Sequence, residues 1–296
     1  NGTKKTYTTR NADVLPTDQT DERLNATEVL TGIKDAIGST GGVSITQTST
    51  TLELTSSSDF TLEVAGGINN RALESFQGTV SNVSMLPEQS TDGRIVEVLN
   101  AGGNDDNYWL QYNNTTKQWK ESIDPTVSIG FDADTMPHEL EFTGDNTLEF
   151  SSINWTERNA GSDKTNPPPS IFPYDASTGQ YAETGIPINA TFFYNNRFGM
   201  LSGDNVILSQ ANDPYNFFNR SAITQIASDP IDLNAASVLP VELFDVLPDS
   251  QGLLLFSRRQ QFLMFAADTG VMTPTTAVIR GISNYEMDDH IPPVDI

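Results

Sequence analysis

Tight-turn chemistry between short apolar runs constrains this chain more than anything else in it. In "FFYNNRFGMLSGDNVILS", residues 192–209, two apolar runs flank a polar stretch. Ser202, Gly203, Asp204 and Asn205 are turn formers. Glycine accepts positive φ without steric cost, and Ser, Asp and Asn bond their own backbone. "FGML" and "NVILS" therefore read as two strands of a hairpin, following the strand "ATFFYNN". Gly199 and Gly203 are present without a lysine, and strand follows where a helix should begin, so the stretch is no phosphate cradle. Arg197, between apolar strands, reads as an anchor for a nearby acid, and if buried it needs a carboxylate or a carbonyl as partner. Asp204, Asp229 and Asp232 are the candidates in sequence.

The remainder of the chain has two textures. In "NATEVLTGIKDAIGSTGG", Asn25 is placed to cap a helix, with Glu28 three residues on. Leu30, Ile33 and Ile37 form one stripe at helical spacing, and Gly38 is a natural stop. Short alternating segments follow, "VSITQ", "TLELT" and "FTLEV", with Leu52, Leu54, Leu62 and Val64 expected on one inner face. "GRIVEVLN", "NYWLQYN" and "KQWKES" read as consecutive strands, with a turn at Asn113–Thr116. Residues 1–130 thus form an expected α+β module, a helix packed on an antiparallel sheet. From 131 to 296 short strands alternate with long polar stretches, ending in "LLLFS", "QFLMFA" and "TAVIRGIS". The Pro- and Gly-rich segment 166–187 reads as extended and surface-clinging. No internal repeat is evident, so periodicity alone gives no propeller.

Thirty-nine acids against 16 bases give a net charge of −23. Such a surface repels nucleic acid and anionic bilayers. With no cysteine, disulfides, thiol nucleophiles and cysteine zinc sites are excluded. No apolar run approaches the roughly 20 residues of a helical membrane span. No signal peptide is evident, and the start at Asn1 suggests a piece of a longer protein.

Motifs for chemistry are sparse. His138 in "MPHELEF" lacks the second histidine of H-E-x-x-H. His290 has Asp288 and Asp289 beside it, but a metal site needs further ligands. "GGNDDN" and "DADT" lack calcium-loop spacing and read as Asx turns. Trp109 and Trp119, with Tyr108 and Tyr112, are suited to stacking on sugars, although aromatics at alternating strand positions are more often core and cross-strand packing.

The stretch "FFYNNRFGMLSGDNVILSQANDPYNFF", followed by "SDPIDLNAAS" and "LLLFSRRQQFLM", resembles the tail tubular protein B, or nozzle, family of short-tailed bacteriophages (podoviruses). Asn196, Arg197, Phe198, Gly199, Met200, Leu201, Ser202, Gly203, Asp204 and Asn205 follow the family pattern in order. Asn216-Phe217-Phe218 and Asp229-Pro230-Ile231-Asp232 match the next blocks. Upstream, Thr135-Met136-Pro137-His138 and "YWLQYNNTTKQWKES" match too. Arg258 and Arg259 stand where family members often carry acidic or polar residues.

The resemblance implies a fold that is mainly β with some α: β-propeller-like strands plus an inserted α+β module, in a fragment of a longer subunit. It implies a structural virion protein without enzymatic activity or cofactor. Six copies would form a tail nozzle ring, the distal DNA channel that retains the genome and conducts it at ejection. The implied partners are the tail adaptor protein, a tail fibre or spike, and genomic DNA passing without specific binding. The alternative is a tail-associated enzyme degrading polysaccharide or peptidoglycan. An orphan pair of acids in a cleft beside Trp109 or Trp119 would favour it.

Overall fold

The computed structural model describes residues 5–7, 26–38, 42–64, 73–100, 106–182, 184–238, 240–267 and 270–294. The chain divides into two compact units, Asn1–Ser122 and Ile123–Ile296.

In the first unit the helical stripe forms α1, Ala26–Ile37. Glu28 in its first turn and Lys34 in its last complement the helix dipole. Gly38 ends it at φ 55°, donating its N–H to Lys34 O at 2.9 Å. The expected cap Asn25 lies outside the described residues. Strands β1 (Ser44–Gln47) and β2 (Leu52–Thr55) pair antiparallel. "FTLEV" is not a strand: Phe60–Val64 joins no ladder. Alternation reports a shared face, not a backbone partner. The face itself exists, because Leu62 and Val64 line the same apolar cavity of about 330 Å³ as Leu30, Ile33, Leu52 and Leu54.

Strands β3 (Thr79–Val80), β4 (Ile95–Val98), β5 (Tyr108–Asn113) and β6 (Gln118–Ser122) make one sheet in that order. The sheet is not wholly antiparallel, because β3 runs parallel to β4. Val80, Val96, Val98 and Leu110 form its core. The β5–β6 turn occupies Asn114–Lys117, one residue later than expected. Asn113 Oδ1 accepts from the N–H groups of Thr115 and Thr116 at 2.9 Å each, and Lys117 takes the positive φ of 54°.

In the second unit β7 (His138–Gly144) and β8 (Thr147–Ser152) form a two-stranded hairpin. A small one joins β9 (Tyr174–Asp175) and β10 (Gln180–Tyr181). Two four-stranded antiparallel meanders follow, each in chain order. The first is β11 (Ala190–Tyr194), β12 (Arg197–Ser202), β13 (Asn205–Leu208) and β14 (Ile231–Asn234). The second is β15 (Leu243–Asp249), β16 (Gly252–Ser257), β17 (Gln261–Ala266) and β18 (Ala277–Ser283). Among the described residues the meanders close into neither a barrel nor a propeller.

The central strands β12 and β13 of the first meander are buried on both faces. Leu201, Val206 and Leu208 point into a core shared with Leu253, Leu255, Phe262 and Met264 of the second meander. Met200 and Ile207 point the other way, into a cluster with Trp155, Ile171, Phe172 and Phe217. This sidedness follows from the two-residue period of a strand, since Met200 pairs with Ile207 and Leu201 with Val206. It explains why β12 is apolar without alternation.

Candidate functional site

The turns of the quoted stretch come first. Strand β11 stops at Tyr194 rather than running through the asparagines. Asn195 and Asn196 have φ 48° and 58°, which the two-residue type I′ hairpin requires. Gly203 takes the positive φ, 58°, between β12 and β13, and Asn205 then pairs with Ser202 and Asn234. The turn's carbonyls are used as well. Gly203 O accepts from Leu243 N at 2.7 Å and Asp204 O from Ala235 N at 2.8 Å. The turn therefore ties the end of the first meander to the start of the second. Gly199 faces Phe192 across the ladder, and a Cβ there would lie 2.3 Å from the ring.

Arg197 opens β12 and is 3% exposed. Its partners are backbone carbonyls, one of the two kinds of acceptor expected for it. Nη1 donates to Ser209 O and Asp229 O at 2.7 Å each, and to Ser228 O at 3.3 Å. Nη2 donates to Ala227 O at 2.9 Å. The turn 227–229 thus wraps its carbonyls around one guanidinium, a geometry suited to a planar fork of donors. Burial lowers the Arg197 pKa, and the charge of Asp229 opposes that. Asp229 is fully buried. Its Oδ2 accepts from Ile226 N at 2.8 Å, while Oδ1 has no hydrogen-bond partner.

Ser202 and Asp232 hold the Pro-rich segment. Ser202 Oγ donates to Pro187 O at 3.0 Å. The Asp232 carboxylate accepts from Ser170 N at 2.7 Å and Ser170 Oγ at 2.8 Å. Asp232 is exposed as a residue, and Ser170 engages both of its carboxylate oxygens. Lost hydration pushes its pKa up, against the lowering effect of the two Ser170 bonds. Asn166 joins the same knot, donating to Ala160 O and Asn219 O at 2.9 Å each. With Ile171 and Phe172 buried, the segment lines the unit's own core. The expectation of an extended, surface-clinging stretch is corrected for 166–173.

Two side chains of this region give no signal in the sequence. Arg158 is 3% exposed, pairs with Asp163 at 2.8 Å, and lies over Phe218 at 5.0 Å. Phe131 stacks between Phe172 and Phe218, at 5.5 and 5.1 Å.

The groups considered for chemistry are dispersed. His138 Nδ1 lies 3.0 Å from Met136 O, and the ring stacks on Phe150. Trp119 donates to Pro87 O at 2.8 Å and packs on Tyr112. The groove beside Trp119 is lined by one carboxylate, Glu88, and not by a pair. Asp288, Asp289 and His290 bring three ligand atoms within 4.8 Å of one another at the surface. Arg258 bonds Asp289 through Nε at 2.9 Å. His290 Nδ1 sits 2.9 Å from Asp288 and 3.0 Å from Asp289. The hydrogen bond to Asp288 and the charge of Asp289 raise the His290 pKa, so the contact is fully present below the ordinary histidine value. It is lost as pH rises through the folded value. An NMR titration should find His290 protonating above its ordinary range, and Asp288→Asn with Asp289→Asn should bring it back. An unchanged midpoint in the double variant would refute this origin.

The knot around Arg197 uses its polar groups on backbone carbonyls and N–H groups, and so holds chain segments together. Together with the stacked meanders it defines a β-rich scaffold protein. The sequence matches the bacteriophage nozzle protein family over residues 1–296, and the chain belongs to that family. It is thereby a component of the phage virion tail. Tail tubular protein gp12 of Escherichia phage T7 is 29% identical over 214 residues, covering 72% of this chain. The chain spans about a quarter of the length of that relative, 25% being covered.

Proposed function

We propose that this chain is part of a structural nozzle subunit, six copies of which form a ring around the distal DNA channel of a short-tailed phage. The ring retains the genome, conducts it at ejection, and with the tail adaptor protein helps to hold the tail fibres. The two meanders are successive propeller-type blades within 131–296, and 1–130 is a module inserted into that framework. The observation that carries this reading is the way the meanders stack. In the first, the central strands β12 and β13 are buried on both faces. The next carries an apolar strip on its far face as well, where Leu247, Leu254 and Leu263 are cross-strand neighbours and Phe256 and Phe265 share their side with Asp245, Gln261 and Arg280. An antiparallel sheet commonly leaves its second face to water, so an apolar strip there is a surface that a further layer could cover. Family membership over the whole chain supports the tail role. Electron microscopy of the full-length subunit and of virions carrying an antibody to it tests the reading. A six-fold ring and label at the distal tail are expected. A monomer, or label elsewhere, overturns it.

The acid excess has a role in such a conduit. Duplex DNA carries one charge per roughly 1.7 Å, so a few cations on the wall would hold a sliding genome. The lumen of the ring is accordingly acidic or neutral. Replacing two or three lumen acids per subunit with Lys should leave particles assembled and adsorbing, yet slow DNA release by about tenfold at low salt. Added salt should restore part of the rate by screening. Unchanged ejection at low salt would leave solubility as the sole role of the −23.

A further inference from the structure

Among the described residues, the β7–β8 hairpin is an exposed apolar feature that the scaffold leaves unexplained. Leu140 pairs with Phe150 and Phe142 with Leu148 across the ladder, so the four side chains share one face. They are 62%, 70%, 63% and 60% exposed respectively. Together they present on the order of 500 Å² of apolar surface, the size of the largest patch on an ordinary monomer, which is often functional. The base of the hairpin is anchored. Tyr215 Oη donates to Glu139 at 2.9 Å, and His138 stacks on Phe150. Beyond Leu140 nearly every residue is exposed on both faces. Asp145 and Asn146, with φ 47° and 60°, make a tight tip. A two-stranded ribbon of this kind is marginal in water without something to pack on.

Charge says what packs there. Residues 138–152 carry Glu139, Glu141, Asp145 and Glu149 and no Lys or Arg. Glu141 stands directly opposite Glu149 on the polar face. Like charges in that position destabilise a hairpin, and a cation brought between them removes the penalty. The same hairpin of a second copy, equally acidic and without a base, is a poor match, and so is an anionic bilayer.

We propose that this hairpin is a docking arm for a different protein of the same virion, one that presents an apolar groove rimmed by Lys or Arg. The apolar face fills the groove and the rim engages Glu141 and Glu149. The proposal rests on the tail placement argued above, and adds to it the surface used and the chemistry of the partner.

The test uses the full-length subunit in assembled particles, with p-benzoylphenylalanine replacing Phe142. Irradiation and mass spectrometry then identify the chain that is captured. A cross-link into a different virion protein, at an apolar segment with Lys or Arg close by, is expected. Glu141→Lys with Glu149→Lys should lower the cross-link yield about tenfold, and raised salt should also lower it. Cross-links confined to the subunit's own polypeptide or to a second copy overturn the proposal. So does the absence of any cross-link while thermal melting finds the subunit folded, or a yield indifferent to charge reversal and salt. Immunolabelling of unmodified particles is read first. If the subunit is missing from the tail, the tail placement itself fails, and this is distinguishable from failure of the arm.

Discussion

Replacing Arg197 with Ala is expected to cost the second unit about 3 to 5 kcal/mol. The guanidinium is 3% exposed and donates to four carbonyls, those of Ser209, Ala227, Ser228 and Asp229. Truncation does more than delete four bonds. It leaves buried carbonyl oxygens unpaired, at roughly 1 to 3 kcal/mol each where water cannot reach. It also strips a positive charge from beside Asp229, which is fully buried. Its Oδ1 already lacks a hydrogen-bond partner. A surface ion pair, by contrast, would cost about 1 kcal/mol or less. Urea unfolding separates the two cases: the midpoint should fall steeply with an unchanged slope. A loss under about 1 kcal/mol would mean that the 227–229 turn rehydrates and is not held by the arginine.

Arg197→Lys sharpens the test. A lysine keeps the charge and offers three donors from one atom, whereas the arginine fork reaches its carbonyls from Nη1 and Nη2 together. Lysine should recover less than half of the loss. Full recovery would make charge the sole requirement, and the geometry of the knot irrelevant to stability.

What could be read from the chain beforehand depended on how local each signal was. Helix α1 was legible because its stripe and its stop, Leu30 to Gly38, lie within three turns of one another. The β5–β6 and β12–β13 hairpins were legible because the residues that turn the chain are contiguous with the strands. Arg197 stood out as a charge between apolar strands, but its partners are backbone carbonyls 12 to 32 residues away. Every residue has a carbonyl, so no residue type marks such a partner. The sequence could name candidate acids, but it could give no position to a carbonyl partner. The Pro-rich segment misled for a related reason. Proline and glycine announce an irregular backbone, not an exposed one, and Ile171 and Phe172 sit deep in the core between them. In "FTLEV" the alternation marked the right face at Leu62 and Val64. It was silent on whether a neighbouring strand would be there to bond. The parallel pairing of β3 and β4 spans about 20 residues with little strand signal at Thr79–Val80.

The second large effect is expected at Gly252, where β16 begins beneath the core shared by the two meanders. Its φ is 154°, and a Cβ built there would lie 2.0 Å from Met264 O and 3.1 Å from the carbonyl carbon. The obstacle is backbone of the adjacent strand β17, so no rotamer change relieves it. Leu253 pairs with Met264 in the next rung, and both are 0% exposed. Accommodating a methyl group therefore means prying β16 from β17 at a point where Leu253, Leu255, Phe262 and Met264 hold the meanders together. Gly252→Ala should cost about 3 kcal/mol or more, as overpacking against an unyielding neighbour does. Gln251→Ala, one residue away on the exposed turn, should stay within about 0.5 kcal/mol. Thermal unfolding of the two variants side by side decides it. Equal melting temperatures would mean that the strands separate easily at this point. The shared core would then be too loose to hold one meander in fixed register on the next, and a rigid ring wall would need its stiffness from elsewhere in the subunit.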